Sequence, residues 1–301
     1  MAETRLNSAG SFLARQGILV AFVLFMIGFS LWNPRFIDID NVFGVIRSSA
    51  ILGVMALGVT FVVIGGNLDL SVGSLMSFSA IVVLDLHENP AFGPLLAIPM
   101  MFAMTMAIGA LIGFLVGYMK LNSLIVTLGM ATFVIGISKW ISGSRTISIF
   151  GANPTLIGWV NQTRLFEVSM SFWYALILCA IIWYFLEYTT PGRRLLFVGR
   201  AREVARLAGI RVGSVRALAL ISSGAIAAIA GVLAVGLNGS ADPSSRIGLL
   251  LPAFAAAFLG ATSIVPGRFN PVGSLIGVLL LATGISGLQI FGIPNFVQDL
   301  F

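Results

Sequence analysis

Three polar side chains interrupt the apolar sequence in the stretch GGNLDLSVGS, which runs from Gly65 to Ser74. Asn67, Asp69 and Ser71 lie within five positions there, between two apolar runs. An ionisable side chain at membrane depth is costly and is a functional hypothesis by default. Glycines before it permit an irregular backbone, which is tolerated only against protein or a water-filled path. Asp69 could equally be the N-cap of the following helix, and the two roles are compatible.

The second chemically distinctive stretch is strongly basic and runs from Gly192 to Arg216. It carries one acid, Glu203, and seven arginines: Arg193, Arg194, Arg200, Arg202, Arg206, Arg211 and Arg216. Apolar runs flank it, and Lys and Arg next to membrane spans favour the cytoplasmic side. Arg200 to Leu207 is predicted to be helical, with Gly209 where a helix usually stops. The stretch is interpreted either as a docking element or as a solvated topology anchor.

Residues for catalysis, metal binding or nucleotide binding are missing from the sequence. It has one histidine, His87, which is expected in an exposed outside turn, and one cysteine, Cys179, inside an apolar run. A metal site needs several clustered ligands, so none is expected. Neither lysine, Lys120 or Lys139, stands in a GxxxxGK phosphate-binding loop. The chain is therefore predicted not to be an enzyme, and an ATP-driven process would need its ATPase on another chain.

The composition places these stretches in an all-α, polytopic membrane protein. Of its 301 residues 58% are hydrophobic and 9% are charged, against about 25% charged in a soluble domain. A span needs about 20 apolar residues, and about nine runs qualify or nearly do. They are Ile18–Trp32, Val42–Ile64, Leu70–Leu84, Leu95–Tyr118, Leu121–Ile141, Phe172–Leu186, Ala217–Leu237, Leu249–Val265 and Val272–Phe291.

The expected organisation is a cytoplasmic N-terminal tail, residues 1–17, followed by one transmembrane domain, residues 18–301, with a cytoplasmic loop at 190–216. With the amino terminus inside, the basic segment, Lys120 and Arg268 all fall inside. Acidic turns then fall outside, so the topology is self-consistent.

Small residues recur at helical spacing on two of the runs. Gly109, Gly113 and Gly117 form a stripe on the fourth, and Gly224, Ala227, Ala228 and Gly231 form one on the seventh. Such stripes let helix backbones approach closely, and packing within the chain is the favoured interpretation. A second glycine- and proline-broken stretch, Leu259 to Ser274, occupies a comparable place in the second half. Paired interruptions of this kind point towards a transport path.

Several stretches, in order along nearly the whole chain, resemble the permease subunits of bacterial ABC importers for monosaccharides of the ribose, xylose, arabinose and galactose type. GGNLDLSVGS resembles the GG-DLSVGS signature of that family, with an Asn-Leu-Asp arrangement in place of the commoner Ile-Asp. REVARLAGIRVGSVR resembles its cytoplasmic coupling segment, and FLGATSIVPGRFNPVGSLIGVLLLATGISGLQIFGI its last common stretch. Family members usually continue beyond a QDLF-like position into one more helix, whereas this sequence ends at Phe301.

The resemblance implies a permease of about ten spans, two subunits of which form a path for a monosaccharide across the bacterial inner membrane. A periplasmic sugar-binding protein would deliver the sugar, and a partner ABC ATPase would bind ATP and Mg, so that no cofactor is expected in this chain. The implied ATPase-coupling residues are Arg202, Glu203, Ala205, Arg206 and Gly209, and Asn67, Asp69 and Ser71 are the candidates for the path. Alternatives are a permease for another small polar solute, such as a nucleoside, an amino acid or a furanone signal, and a stand-alone carrier or channel.

Overall fold

The computed structural model describes residues 17–88, 93–148, 160, 163–244, 247–262, 264 and 267–293. Within them, every predicted apolar run coincides with a helical segment. The α-helices are α1 (Gly17–Trp32), α2 (Ile39–Ile64), α3 (Val72–Glu88), α4 (Gly93–Gly117), α5 (Ser123–Ser142), α6 (Met170–Tyr188), α7 (Thr190–Arg200), α8 (Arg202–Leu207), α9 (Val212–Asn238), α10 (Leu250–Gly260) and α11 (Pro271–Ile290). Two 3-10 helices cover Pro34–Ile37 and Ile247–Leu249.

Extended structure in the described residues is confined to four two-residue strands, β1 (Ile147–Ser148), β2 (Arg164–Leu165), β3 (Val168–Ser169) and β4 (Ser240–Ala241). β1 pairs antiparallel with β4, and Ile147 lies opposite Ala241. β2 and β3 form a second antiparallel pair. The described part of the chain is thus predominantly helical.

Six of the described helices are long and apolar enough to cross a membrane: α2, α4 from Leu96, α5, α6, α9 and α11. The other three predicted runs correspond to α1, α3 and the stretch Ile247–Gly260, all shorter than 18 residues. α3 is short because the irregular segment 65–71 takes up the beginning of the predicted run. The predicted tail 1–17 lies, apart from Gly17, outside the described residues.

α9 is the central helix, and most of its circumference is buried against α2, α3 and α4. The glycine stripe of α4 packs on α9: a Cβ at Gly109 would lie 2.9 Å from the carbonyl oxygen of Leu220, and one at Gly113 would lie 2.8 Å from that of Ala217. On α9 the stripe divides, because Gly224 faces α4 whereas Gly231 lies against Ser79 of α3. The predicted packing within the chain is therefore confirmed.

Residues next to helix ends contact each other in two places. Arg268, before α11, binds Glu187 of α6 at 2.6 Å. Thr146 donates a hydrogen bond to Asp242 at 3.1 Å, next to the β1–β4 pair. One expectation was wrong: His87 is buried rather than exposed, because α3 continues to Glu88 and keeps it within the helix packing.

Candidate functional site

The break between α2 and α3 folds into a compact turn, and its polar side chains point into the protein. Gly66 has φ +73°, a backbone conformation that favours glycine. The N–H of Asn67 then donates back to the carbonyl of Val62 at 3.2 Å. The exposed fractions of Asn67, Asp69 and Ser71 are only 2%, 1% and 0%. The three predicted residues are thus brought together in a buried position.

The Asp69 carboxylate accepts three hydrogen bonds. Oδ1 accepts from the backbone N–H of Ser71 at 2.9 Å and from its hydroxyl at 2.5 Å. Oδ2 accepts from the hydroxyl of Ser223 on α9 at 2.7 Å. A buried carboxylate needs such partners. Asp69 therefore fixes the start of α3 through the Ser71 bonds, which resembles the capping interpretation, and it also ties the break to α9. Its role in lining a path stays a prediction.

Helix α5 supplies two hydroxyl groups that sequence reasoning did not identify. The N–H of Leu70 donates to Oγ1 of Thr127 at 3.0 Å, and that of Leu68 donates to Oγ of Ser123 at 3.3 Å. They satisfy backbone donors that the irregular segment does not pair within itself. The break is thereby connected to α5.

Two arginines of the basic segment bind the same break. Arg216, at the start of α9, donates from Nε to Oδ1 of Asn67 at 2.6 Å and from Nη1 to the carbonyl of Val116 at 3.1 Å. Arg202, at the start of α8, donates from Nη2 to the carbonyl of Gly66 at 3.0 Å. The basic segment and the polar break, found separately in the sequence, therefore form one site.

The basic segment contains two short helices where one was predicted. The predicted helix from Arg200 was wrong at its start, because α7 ends at Arg200 and α8 begins at Arg202. The hydroxyl of Thr189 caps α7 by accepting from the N–H of Gly192 at 3.1 Å, and Pro191 lies in the first turn. This Thr-x-Pro pattern was the signal that could have revealed α7. The predicted stop is confirmed by Gly209, at φ +78°.

α7 and α8 pack directly against the break. A Cβ added at Gly199 would collide with the carbonyl oxygen of Ile64, the last residue of α2. Ala205 of α8 is fully buried, whereas Glu203 and Arg206 form an exposed ion pair at 2.7 Å. The predicted coupling residues therefore fall into three groups. Arg202 and Ala205 contact the rest of the protein, and Glu203 and Arg206 face outward. Gly209 forms the turn after α8.

Two exposed apolar side chains on α8 went unrecognised in the sequence. Leu207 is 84% exposed and Val204 is 54% exposed. Together with the Glu203–Arg206 pair they form the outward face of α8, and we refer to these four residues as the α8 face. An exposed apolar patch with polar side chains around it is typical of a protein–protein contact.

Comparison with known proteins assigns the sequence to a family. The family described as the permease component of the branched-chain amino acid transport system matches residues 41–301. This chain belongs to that permease family. The matched region holds every residue of the site, from the break between α2 and α3 to the α8 face.

The permease is similar along nearly its whole length to several characterised import permeases. It is 31% identical over 289 residues to the ribose import permease RbsC of Escherichia coli K12, which covers 96% of this chain and 90% of that protein. It is 28% identical to RbsC of Haemophilus influenzae, covering 98% and 92%. The autoinducer 2 import permease LsrD of Photorhabdus laumondii is 30% identical, covering 90% and 82%. No solved structure gives a significant match.

The second break in the permease, Leu259 to Ser274, lies beside α2 and caps α11. Asn270 accepts a hydrogen bond from the N–H of Gly273 at 2.6 Å. The hydroxyls of Ser274 and Thr60 are 2.6 Å apart, which joins α11 to α2 inside the bundle. Both breaks thus contact α2, but no described contact joins them to each other; residues 263, 265 and 266 lie outside the described part.

Proposed function

We propose that this chain is the membrane subunit of an ATP-driven importer and forms the translocation path for a monosaccharide. The observation that carries the proposal is the similarity over more than nine-tenths of the chain to ribose import permeases. Residues 18–301 would be one permease domain with nine crossings, in a family fold of about ten. The domain would lie in the bacterial inner membrane, with the amino terminus and loop 190–216 in the cytoplasm.

The α8 face would dock into a groove of a partner ATPase. Leu207 and Val204 would be buried by the contact, and Glu203 and Arg206 would contribute its polar rim. Burying exposed apolar area favours association, whereas the exposed Glu203–Arg206 pair alone contributes little. Arg202, Ala205 and Gly209 would fix α8 on the permease.

Movement of α8 would reach the spans through the two arginine contacts. Arg202 joins the α8 start to Gly66, and Arg216 joins the start of α9 to Asn67. Because the break is itself bonded to α5 and α9, a displacement of the basic segment cannot leave these spans unchanged. This arrangement would couple ATP-driven closure of two ATPase subunits to an alternating path.

Asn67, Asp69 and Ser71 would border that path when it opens inward. They support this role because they are polar groups at a helix break, and such breaks form sites in transporters. Their present bonds to Ser223 and Arg216 would then have to be exchanged for water or sugar. Few other polar groups are needed, because a periplasmic binding protein would select the sugar. A stand-alone carrier is not favoured, since the similar proteins are import permeases.

The first test is ATP hydrolysis by the permease and the ATPase of the same importer in lipid nanodiscs, with and without sugar-loaded binding protein. We expect the loaded form to stimulate hydrolysis more than the unloaded form, because only the loaded form would shift the path towards its outward state. Equal rates in a complex that does assemble would contradict transport coupling. No assembly at all would remove α8 from its docking role.

A further inference from the structure

A cavity of about 610 Å³ lies between α6, α7 and the first turns of α9. Two arginines line it, Arg194 of α7 and Arg211, immediately before α9. The rest is mainly apolar: the rings of Phe61 and Phe185, whose centroids are 5.7 Å apart, line it together with Leu218. The cavity therefore combines two cationic side chains with a mainly apolar wall.

No acidic side chain lines this cavity, and its two arginines are not neutralised from within the chain. Arg202, Arg206 and Arg216 all have bonding partners. The guanidinium groups of Arg194 and Arg211, in contrast, have no hydrogen-bond or ion-pair partner among the residues that the structure describes. Two guanidinium groups that line one cavity favour an anionic group there, and guanidinium geometry suits phosphate.

The length of the cavity along α9 is similar to the thickness of one leaflet of the bilayer. The α9 residues that line it extend to Ser222, 11 residues beyond Arg211. At a rise of 1.5 Å per residue this is about 16 Å, and one leaflet of the hydrocarbon core is about 15 Å thick. A ligand held by the two arginines could thus place a hydrocarbon chain beside Leu218 and the two phenylalanines.

We propose that this cavity binds one anionic phospholipid of the inner leaflet, with its phosphate at Arg194 and Arg211 and an acyl chain along α9. Basic pockets between spans on the cytoplasmic side are suited to anionic head groups. The inference rests on the proposed cytoplasmic placement of loop 190–216. The lipid would join α7 to the start of α9 across the α8 segment, and so hold the coupling segment in position.

The test measures lipid binding to the purified permease alone, by native mass spectrometry in detergent with phosphatidylglycerol or phosphatidylcholine. Arg194→Gln with Arg211→Gln is expected to weaken phosphatidylglycerol binding about 30-fold, the effect of losing two arginines near a membrane surface. The control is Arg193→Gln with Arg200→Gln, which removes the same charge from exposed positions that do not line the cavity. The control should bind as the wild type does.

A second variant, Leu218→Trp, adds bulk to the apolar wall of the cavity and leaves both arginines in place. It should also weaken phosphatidylglycerol binding, whereas soluble glycerol phosphate should compete poorly with the lipid. Equal losses in the Arg193/Arg200 control, equal binding of phosphatidylcholine, or full competition by glycerol phosphate would each overturn the proposal. Because the lipid is measured without the ATPase, a failed transport assay does not affect this result.

Discussion

Arg216 differs from the other six arginines of the basic segment in what surrounds it. It is only 8% exposed, and it bonds the buried amide oxygen of Asn67 and the carbonyl of Val116. Removing it leaves a buried acceptor without a donor, which costs about 1–3 kcal/mol. An exposed arginine of the same segment carries no such cost.

We therefore expect Arg216→Met to lower the thermal unfolding temperature of the permease in detergent and to reduce sugar uptake. Arg193→Met, at an exposed position of α7, is the matched control and should change neither. Asn67→Ala tests the pair: the effects of Arg216→Met and Asn67→Ala should be less than additive, with a coupling of about 0.5–3 kcal/mol. Strict additivity would show that the contact contributes nothing.

The sequence predicted the chemistry of the site but not its pairings. Asp69 and its neighbours were recognisable because polar groups stand out in an apolar sequence. The partners Thr127 and Ser223 were not, since single hydroxyls on apolar helices are common. The sequence could not distinguish Arg216 from the other six arginines of the basic segment. Its burial depends on how the ends of α2 and α4 are arranged around it in the folded protein.

Among the elements, α8 has an outward side that packing within the described part of the chain leaves exposed. Its exposed Leu207 and Val204 would be unfavourable in water without a partner. Charge on this face should therefore prevent docking without disturbing the fold.

We expect Leu207→Asp to abolish co-purification of the ATPase while the permease still reaches the membrane. Glu203→Arg, which replaces the ion pair with Arg206 by a repulsion, should also weaken the complex of the permease with the ATPase. Leu121→Asp is the control, since Leu121 is also an exposed leucine in the turn between α4 and α5. Unchanged co-purification of Leu207→Asp would disprove docking through α8.

α7 shows why one element escaped prediction. Its sequence contains Pro191, Gly192 and Gly199, all poor helix formers in general. Gly199 is there because α7 passes so close to the carbonyl of Ile64 that a side chain would not fit. The longer helices were predictable, in contrast, because an apolar run of about 20 residues has few alternatives in a membrane.

At the scale of the whole molecule, one side of α5 is left uncovered by the residues that the structure describes. Its five buried residues, Thr127, Ala131, Val134, Ser138 and Ser142, all share one face. On the other side Gly129 and Gly136 have open space where a Cβ would be. Small residues permit close helix contact, so we propose that this side contacts the second permease subunit of the proposed importer.

We expect Gly136→Cys, made in a Cys179→Ala background, to give a disulfide-linked dimer on mild oxidation in membranes. Ile181→Cys, an exposed position on α6, is the control and should remain monomeric. Crosslinking that required a different permease chain would identify a heterodimer. Equal crosslinking at both positions would indicate random collision and contradict an α5 interface.

The contact between α4 and α9 can form only after α9 has been synthesised, well after α4. Gly113 and Ala217 touch in the finished protein, yet about 100 residues separate them along the chain. At about 5–20 residues per second, α4 waits roughly 5–20 s in the bilayer before its neighbour is made. During that interval the glycine stripe of α4 is not covered by α9 and is open to contact with other helices in the membrane. We therefore expect correct assembly of this permease to require that such contacts stay weak until α9 has been inserted.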